Sequence, residues 1–527
     1  MIIVLFQILP AYFAEHKTKP CIWLFLVMCV PTLLSTESNA ANRPNVVFIL
    51  ADDLGYGDLS CYGATKVNTH HIDSLAEDGL RFTDAHSAAS VCTPTRYNIL
   101  TGRHCWRTWA KSATVWANDP LLIETDRYTL ADLFKDQGYT TAILGKWHLG
   151  FGTPDMQGWD GYLGPDYNQE LKPGPLELGF DYYWGFPHVG QRPHFIIENH
   201  RVLNLSPGDP ITIIPDTRLP FYTNYLKRPR TVSKNPRLDS KGGISALYKH
   251  EDLSNSLTDR TVQYLEEVEA DNPFFLYVCH RNIHGPLIPD PKFNNTSEIG
   301  KRGDFINEFD ASVGRILEAL DDKGLRDNTL VLFSSDNGGV IRYEPIDYAQ
   351  DQGHFINGPL RGQKGTAYEG GNRVPFLARW PGKIEAGTES STVIALQDLI
   401  ATFADLFEEK LPIDSAEDSF SFLPALLDLE PRQAQRKILL NDSSSGIIAI
   451  RKGPWKLIPS YHGGRARGPY DGSQPIGQLF HIKNDVRESS NLYAERPEIV
   501  AELTRLLNRV KNGNRTAPVE RSLASWQ

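Results

Sequence analysis

Asn45-Val46-Val47-Phe48-Ile49-Leu50-Ala51-Asp52-Asp53-Leu54-Gly55-Tyr56-Gly57 is the stretch that sets the fold class of this chain. Its first seven residues are an unbroken apolar, β-branched run, the pattern of a strand covered on both faces. The run ends in two adjacent carboxylates. Holding them together at a strand end is costly unless a cation compensates them; a helix-capping loop is the other use for such a pair.

The same arrangement recurs along the chain. An apolar run at 140–144 leads into Gly145-Lys146-Trp147-His148-Leu149-Gly150, and one at 273–279 leads to His280, Asn282 and His284. A third at 329–334 leads into Ser335-Asp336-Asn337-Gly338-Gly339, and a further strand is expected at 374–380. Helical patterns separate these runs at 71–78, 129–138, 257–269, 305–320 and 397–407. Alternation of this kind predicts a large, mostly parallel central sheet flanked by helices. Such sheets gather ligands at the carboxyl ends of their strands, so Asp52, Lys146, His284 and Asp336 are expected to converge.

A second stretch, Val91-Cys92-Thr93-Pro94-Thr95-Arg96-Tyr97-Asn98-Ile99-Leu100-Thr101-Gly102, puts a cysteine at the mouth of a short helix. Thr93 suits the cap and Pro94 the first helical position; Ile99 and Leu100 begin an apolar face that Gly102 closes. A helix N-terminus favours an anion, and Arg96 adds a fixed charge about one turn further on. A thiol so placed reads as an activated nucleophile with a lowered pKa; a buried structural cysteine is the alternative.

The chain has 527 residues, 41% hydrophobic and 10% aromatic, which implies a folded protein too long for one simple core. The boundaries expected are a main domain at 41–410 and a smaller one at 411–527, with a linker at 408–421. Short strand patterns stand in the second domain at 438–440, 447–451 and 455–458, followed by a helix at 497–510. A formal charge of −10 excludes a general nucleic-acid binder. Lys17 and Lys19, an apolar run at 21–34 and Ser38-Asn39-Ala40 read as an export signal cut near Ala40. That run is too short for a membrane span, and a retained anchor is the alternative. Export points to a periplasmic, extracellular or lumenal protein, in which Asn204, Asn294, Asn295, Asn441 and Asn514 lie in glycosylation sequons. Residues 152–249 show little periodicity and read as a binding rim, with a basic bias from Lys227, Arg228, Arg230, Lys234, Arg237 and Lys241.

Cys92-Thr93-Pro94-Thr95-Arg96 followed by Leu100-Thr101-Gly102 resembles the activation signature of the type I sulfatases, within the alkaline phosphatase superfamily. The Gly145-Lys146-Trp147-His148-Leu149-Gly150 hexapeptide resembles a second signature. Leu360-Arg361-Gly362-Gln363-Lys364-Gly365 with Tyr368-Glu369-Gly370-Gly371 resembles a third. Leu479-Phe480-His481 and Glu488-Ser489-Ser490-Asn491-Leu492 are similar to the small antiparallel subdomain that closes such proteins.

The resemblance implies that a maturation enzyme oxidises Cys92 to formylglycine. It also implies a calcium ion, in preference to magnesium, held by Asp52, Asp53, residue 92, Asp336 and Asn337. Three carboxylates and an amide oxygen, with no Cys or His set at zinc spacing, suit a hard cation. In the implied reaction one hydroxyl of the hydrated aldehyde attacks sulfur while Arg96, Lys146 and Lys364 stabilise charge. His284, assisted by Lys364, protonates the departing alcohol, and His148 deprotonates the remaining hydroxyl. The substrate class implied is an aryl or carbohydrate sulfate. The alternatives are a phosphonate or phosphate monoester hydrolase of the same superfamily and a non-catalytic sulfate-binding descendant. Many relatives place a serine in the sulfate pocket near the segment that here reads Gly185-Phe186-Pro187-His188-Val189.

Overall fold

Strand Asn45–Ala51 is buried along its whole length. In the computed structural model it lies inside a sheet of ten strands among the described residues, which are 43–189, 194–215, 238–269, 271–341, 348–431, 433, 435–464 and 472–519. It pairs in parallel with Phe274–Cys279 on one side and Thr329–Ser335 on the other. Thr140–Lys146 and then Tyr182–Phe186 extend the parallel block beyond Phe274–Cys279. Beyond Thr329–Ser335 the sheet turns antiparallel at Phe376–Arg379, which makes it mixed.

The apolar run works as its composition requires. Val46, Phe48 and Leu50 enter a core with Tyr97, Leu100, Phe134 and Phe403, under helices Cys92–Thr101, Leu130–Asp136 and Leu399–Leu406. Val47, Ile49 and Ala51 enter a second core with Leu257, Phe305, Phe309 and Val313, under helices Leu253–Glu267 and Lys301–Asp322. Alternate side chains of one strand therefore serve opposite layers. Each fully buried Leu or Phe contributes about 1.5–3 kcal/mol, so this strand is a major stabiliser of both.

Two regions differ from expectation. The irregular span 152–249 contains the parallel strand Tyr182–Phe186. Its Tyr-Tyr-Trp-Gly-Phe sequence carries no alternation, and its fit depends on Gly185 lying against Gly145, where an added Cβ would come 1.9 Å from the Gly145 carbonyl oxygen. The expected linker at 408–421 is packed into the protein. Asp418 in it is fully buried, with Arg107 Nε donating to its carboxylate at 2.9 Å and the His104 N–H at 2.9 Å.

The C-terminal sheet is antiparallel in chain order, Ile438–Asp442, Ile448–Lys452, Trp455–Ile458 and Gln478–His481. Helix Pro497–Asn512 packs Leu503, Leu507 and Val510 onto it. Residues 40–527 form one compact unit. The first strand of this sheet is laced to the residues just before Cys92. Ser90 N–H donates to the Asp442 carbonyl at 2.9 Å, and Asp442 N–H donates to Ala88 at 3.1 Å.

The N-terminal segment 1–40 and Lys227, Arg228, Arg230, Lys234 and Arg237 lie outside the described residues, whereas Lys241 ends the short strand Leu238–Lys241. No helix among the described residues is long and apolar enough to cross a membrane.

Gly102 closes helix Cys92–Thr101 at φ 63°, and a Cβ there would meet Ile400 Cγ2 at 2.5 Å. Gly102→Ala is therefore expected to destabilise the fold by about 1–3 kcal/mol through left-handed strain and overpacking. A lowered urea midpoint with an unchanged slope checks this.

Candidate active site

The four parallel strands that precede the polar clusters are adjacent, in the order Thr329–Ser335, Asn45–Ala51, Phe274–Cys279, Thr140–Lys146. Their register is level: Ala51 pairs with Ser335, Leu50 with Cys279, and Cys279 with Gly145. Asp336, Asp52, His280 and Lys146 thus emerge along one edge. Backbone bonds lock the loops that follow. Asp52 N–H donates to Asn282 at 2.9 Å, Ile283 N–H to Asp52 at 2.7 Å, and Asp336 N–H to Ala51 at 3.1 Å. Asp53 has the left-handed φ of 64°, a strained setting for a non-glycine residue, and its N–H donates to Asp336 Oδ1 at 3.2 Å.

Helix Cys92–Thr101 brings the nucleophile position to this edge. Its cap is Val91, and Cys92 is the first helical residue. Thr93 does not cap. Its hydroxyl donates to the His148 carbonyl at 2.8 Å, joining two of the motifs. All ten residues of this helix are buried, so it has no solvent face. Cys92 Sγ lies 3.6 Å from Asp52 Oδ1 and 3.3 Å from Lys364 Nζ. Arg96 is fixed at both ends of its fork, donating to the Lys146 carbonyl and to Asp336 Oδ2, each at 2.9 Å.

The thiol is not activated. Burial and the neighbouring Asp336 push the Cys92 pKa up to about 12, outweighing Lys146, Lys364 and the helix terminus. The expectation of a lowered thiol pKa fails because desolvation of a fully buried thiolate exceeds what a helix N-terminus returns.

Each buried carboxylate has its own cation. Asp52 meets Lys146 at 2.7 Å, Asp53 meets Lys364 at 2.6 Å, and Asp336 meets Arg96 at 2.9 Å. Burial alone would raise Asp52, yet Lys146, His284 and Arg96 bring it down to about 2. Asp53 is likewise lowered against its burial, chiefly by Lys364 and His284. Lys364 is raised despite burial, through Asp53 and Cys92.

Asp52, Asp53, Cys92 and His284 each offer a ligand atom, all within 4.8 Å of one another. Asn337 donates to Asp53 Oδ1 at 2.7 Å, while its own Oδ1 is buried without a hydrogen-bond partner. An orphaned amide oxygen beside this many carboxylate oxygens is a donor set that fits a hard cation. Two of the sequence-derived ligands, Asp336 and Asn337, touch Asp53. His284, absent from that ligand set, is brought into the cluster, with Nε2 3.7 Å from Asp53 Oδ2.

His148 also has a left-handed backbone, φ 59°, and both its ring nitrogens are buried without hydrogen-bond partners. Burial, Lys146 and His188 hold its pKa well below the usual range, which favours the neutral imidazole. His188 stands edge-on to it at 4.5 Å and stacks on Trp116 at 5.3 Å. Burial first, then Lys364 and Lys146, also lowers His284, against the pull of Asp52 and Asp53. His280 is fully buried against Phe309 and supports the loop. Trp116 was not found from sequence; it sits in a turn-rich stretch with no pattern around it, and only folding brings it to His188.

The result is a buried recess whose partly open members are Lys364 and His284, their side chains 15% and 19% exposed. Lys364 touches the nucleophile position at a helix terminus, Lys146 and Arg96 lie on Asp52 beside it and His284 lies on Asp53, an arrangement suited to a tetrahedral oxyanion ester.

Comparison with known proteins agrees with this chemistry. A family model described as Sulfatase matches residues 44–409. The chain belongs to the sulfatase family. This sulfatase is 35% identical over 508 residues to an N-acetylgalactosamine-6-O-sulfatase of Bacteroides thetaiotaomicron, covering 92% of this chain and 96% of that protein. It is 32% identical to human arylsulfatase A, covering 79% of this chain and 75% of that one. A solved Bacteroides thetaiotaomicron structure from work on glycosaminoglycan metabolism matches with a TM-score of 0.79 at 36% identity, covering 90% of this chain and 100% of that one. The sulfatase is thus an enzyme that hydrolyses sulfate esters.

With a pKa raised to about 12, the Cys92 thiolate fraction at pH 7 is about 10⁻⁵. In protein carrying the unmodified thiol, Cys92 is expected to resist iodoacetamide in the native state and to react on addition of guanidinium. Peptide mass spectrometry reads the outcome; rapid native alkylation at neutral pH contradicts it.

Proposed function

We propose that this sulfatase cleaves sulfate monoesters of saccharides, using a formylglycine formed from Cys92 and a calcium ion. The observation that carries the reading is a mismatch. Lys364 Nζ and Asp52 Oδ1 lie 3.3 and 3.6 Å from the sulfur at position 92 at a helix terminus, yet burial raises the pKa of that thiol, which makes it a poor nucleophile. A hydrated aldehyde supplies a hydroxyl to attack sulfur and a second one to expel sulfate afterwards, which neither a thiol nor a serine provides.

Asp52, Asp53, Asp336, Asn337 and residue 92 would hold the cation, which when bound polarises a sulfate oxygen and orients the ester. The chain's own groups do the rest. Arg96, immobilised between Lys146 and Asp336, presents a fixed charge to the sulfuryl group. Lys146 and Lys364 neutralise charge that builds on its oxygens. His148 accepts a proton at one of its unpartnered ring nitrogens. His284, at the mouth of the recess, becomes protonated when the ester anion arrives and gives that proton to the leaving oxygen.

A saccharide is favoured because the Bacteroides relative spanning most of the chain is an N-acetylgalactosamine-6-O-sulfatase. The Trp116–His188 pair adds an aromatic wall beside the recess. We also propose export directed by residues 1–40, which places the enzyme where sulfated polysaccharides occur.

Protein from the native host should show an aldehyde at position 92 by mass spectrometry. It should turn over 4-nitrophenyl sulfate much faster than the matching phosphonate. Cys92→Ser should stop after about one turnover per site, since serine lacks the second hydroxyl. Chelation should abolish activity, with calcium restoring it better than magnesium. Active protein containing only the thiol, or faster phosphonate cleavage, defeats the proposal.

A further inference from the structure

Glu488 belongs to the C-terminal Glu488-Ser489-Ser490-Asn491-Leu492 segment, to which the chemistry above assigns no task. It is fully buried and left-handed at φ 50°. The turn that presents it is locked from outside. The Asp485 carboxylate accepts the N–H groups of Ser489 and Ser490, each at 2.9 Å, and the Ser489 hydroxyl at 2.8 Å. A residue forced inward in a strained backbone by its neighbours has a demanding partner.

That partner is the loop carrying Lys364. Residues 361–370 close on themselves, with Gly370 N–H donating to the Arg361 carbonyl at 2.7 Å. At one end, Arg361 Nη1 donates to the Glu488 carbonyl at 2.7 Å. At the other, Glu369 N–H donates to Glu488 Oε2 at 2.7 Å. Lys456, on a strand of the C-terminal sheet, ties the same two acids, 2.8 Å from Glu369 and 2.9 Å from Glu488. Tyr368 adds a bond from its hydroxyl to Gln478 at 2.9 Å. At the tip, Lys364 N–H donates to Gly339 at 3.2 Å, and Gly365 N–H donates to Ser90 at 2.7 Å. The loop is therefore held at its base by the C-terminal sheet and at its tip by the strand-end loops of the site.

The charges here do not make a second cation site, although Asp84, His86 and Glu369 cluster closely. Arg373 already reaches both acids, and Arg451 and Lys456 complete the neutralisation.

We propose that Glu488 is a positioning residue for catalysis. By clamping both ends of loop 361–370 it sets the Lys364 ammonium against Asp53 and residue 92, and so makes the C-terminal sheet part of the catalytic apparatus. The proposal rests on the reading of Lys364 as a catalytic group. A lysine has a long flexible stem, so the place of its ammonium depends on how firmly its backbone is held. Glu488 supplies a charged acceptor to a buried amide, a strong kind of hydrogen bond, and its removal leaves that N–H unpaired.

The test is a double-mutant cycle on the mature enzyme with 4-nitrophenyl sulfate, kcat being expressed per aldehyde found by mass spectrometry. Misplacing a catalytic group by about 1 Å costs up to about 10²-fold, so Glu488→Ala is expected to lower kcat about tenfold or more, with KM within about twofold. Lys364→Met is expected to lower kcat further, and the double variant to be no slower than Lys364→Met alone. If the two losses multiply, Glu488 acts independently of Lys364 and the positioning role is overturned. If Lys364→Met leaves kcat unchanged, the catalytic reading of Lys364 fails first, and that outcome is distinguishable from multiplication. Should Glu488→Ala fail to fold, Arg361→Met, which cuts the other tether, is run through the same cycle with the same criteria, while Glu488→Gln, which keeps an oxygen for the Glu369 amide, is expected to hold kcat within about twofold, and a tenfold loss in it overturns the proposal.

Discussion

Three carboxylates, Asp52, Asp53 and Asp336, stand fully buried at the ends of two neighbouring strands, and much of the molecule is arranged to make that tolerable. Burying an unpaired carboxylate costs several kcal/mol even after relaxation. Here each has a buried or nearly buried cation, Lys146, Lys364 or Arg96, and each cation comes from a different part of the chain. The parallel sheet is what brings them together. Level strand ends turn sequence-distant acids and bases into neighbours, and the apolar run 45–51 buries its alternate side chains in both cores to hold that level.

The same economy explains the nucleophile. A fully buried thiolate loses its hydration, and the Cys92 pKa is raised here although two lysines lie close. The electrostatics select against a thiolate while favouring groups whose polarity does not require a net charge before reaction. The imidazoles follow the same rule: His148 and His284 are both pushed toward the neutral form by burial and by the lysines beside them.

Part of the backbone strain lies at the site and the loop that serves it. Asp53, His148 and Glu488 all have left-handed backbones without being glycine. Such conformations cost on the order of 1–3 kcal/mol each and persist only where surrounding bonds over-determine them. For Asp53 the bond is to Asp336, for His148 it is Thr93 on its carbonyl, and for Glu488 it is the Asp485 turn and loop 361–370. Glu488 follows the last strand of the C-terminal sheet, and its bonds tie that segment to the loop carrying Lys364.

Local pattern determined a good deal by itself. The continuous apolar run at 45–51 specified a strand buried on both faces, and the pattern at 129–138 specified a helix, found at Leu130–Asp136. The strand-then-polar repeats specified which residues would converge, because strand period and sheet chirality act over a few residues. What only the tertiary structure decided depends on groups far apart in the chain. The strand Tyr182–Phe186 needed Gly145 opposite Gly185, and the stretch 408–421 became core because Arg107 and His104 meet Asp418. The thiol pKa, the pairing of each acid with its cation, the entry of His284 into the carboxylate cluster and the grip of Glu488 on the Lys364 loop are all of this kind. They are set by desolvation and Coulomb energy, which depend on three-dimensional distance and burial, and no spacing along the chain encodes either.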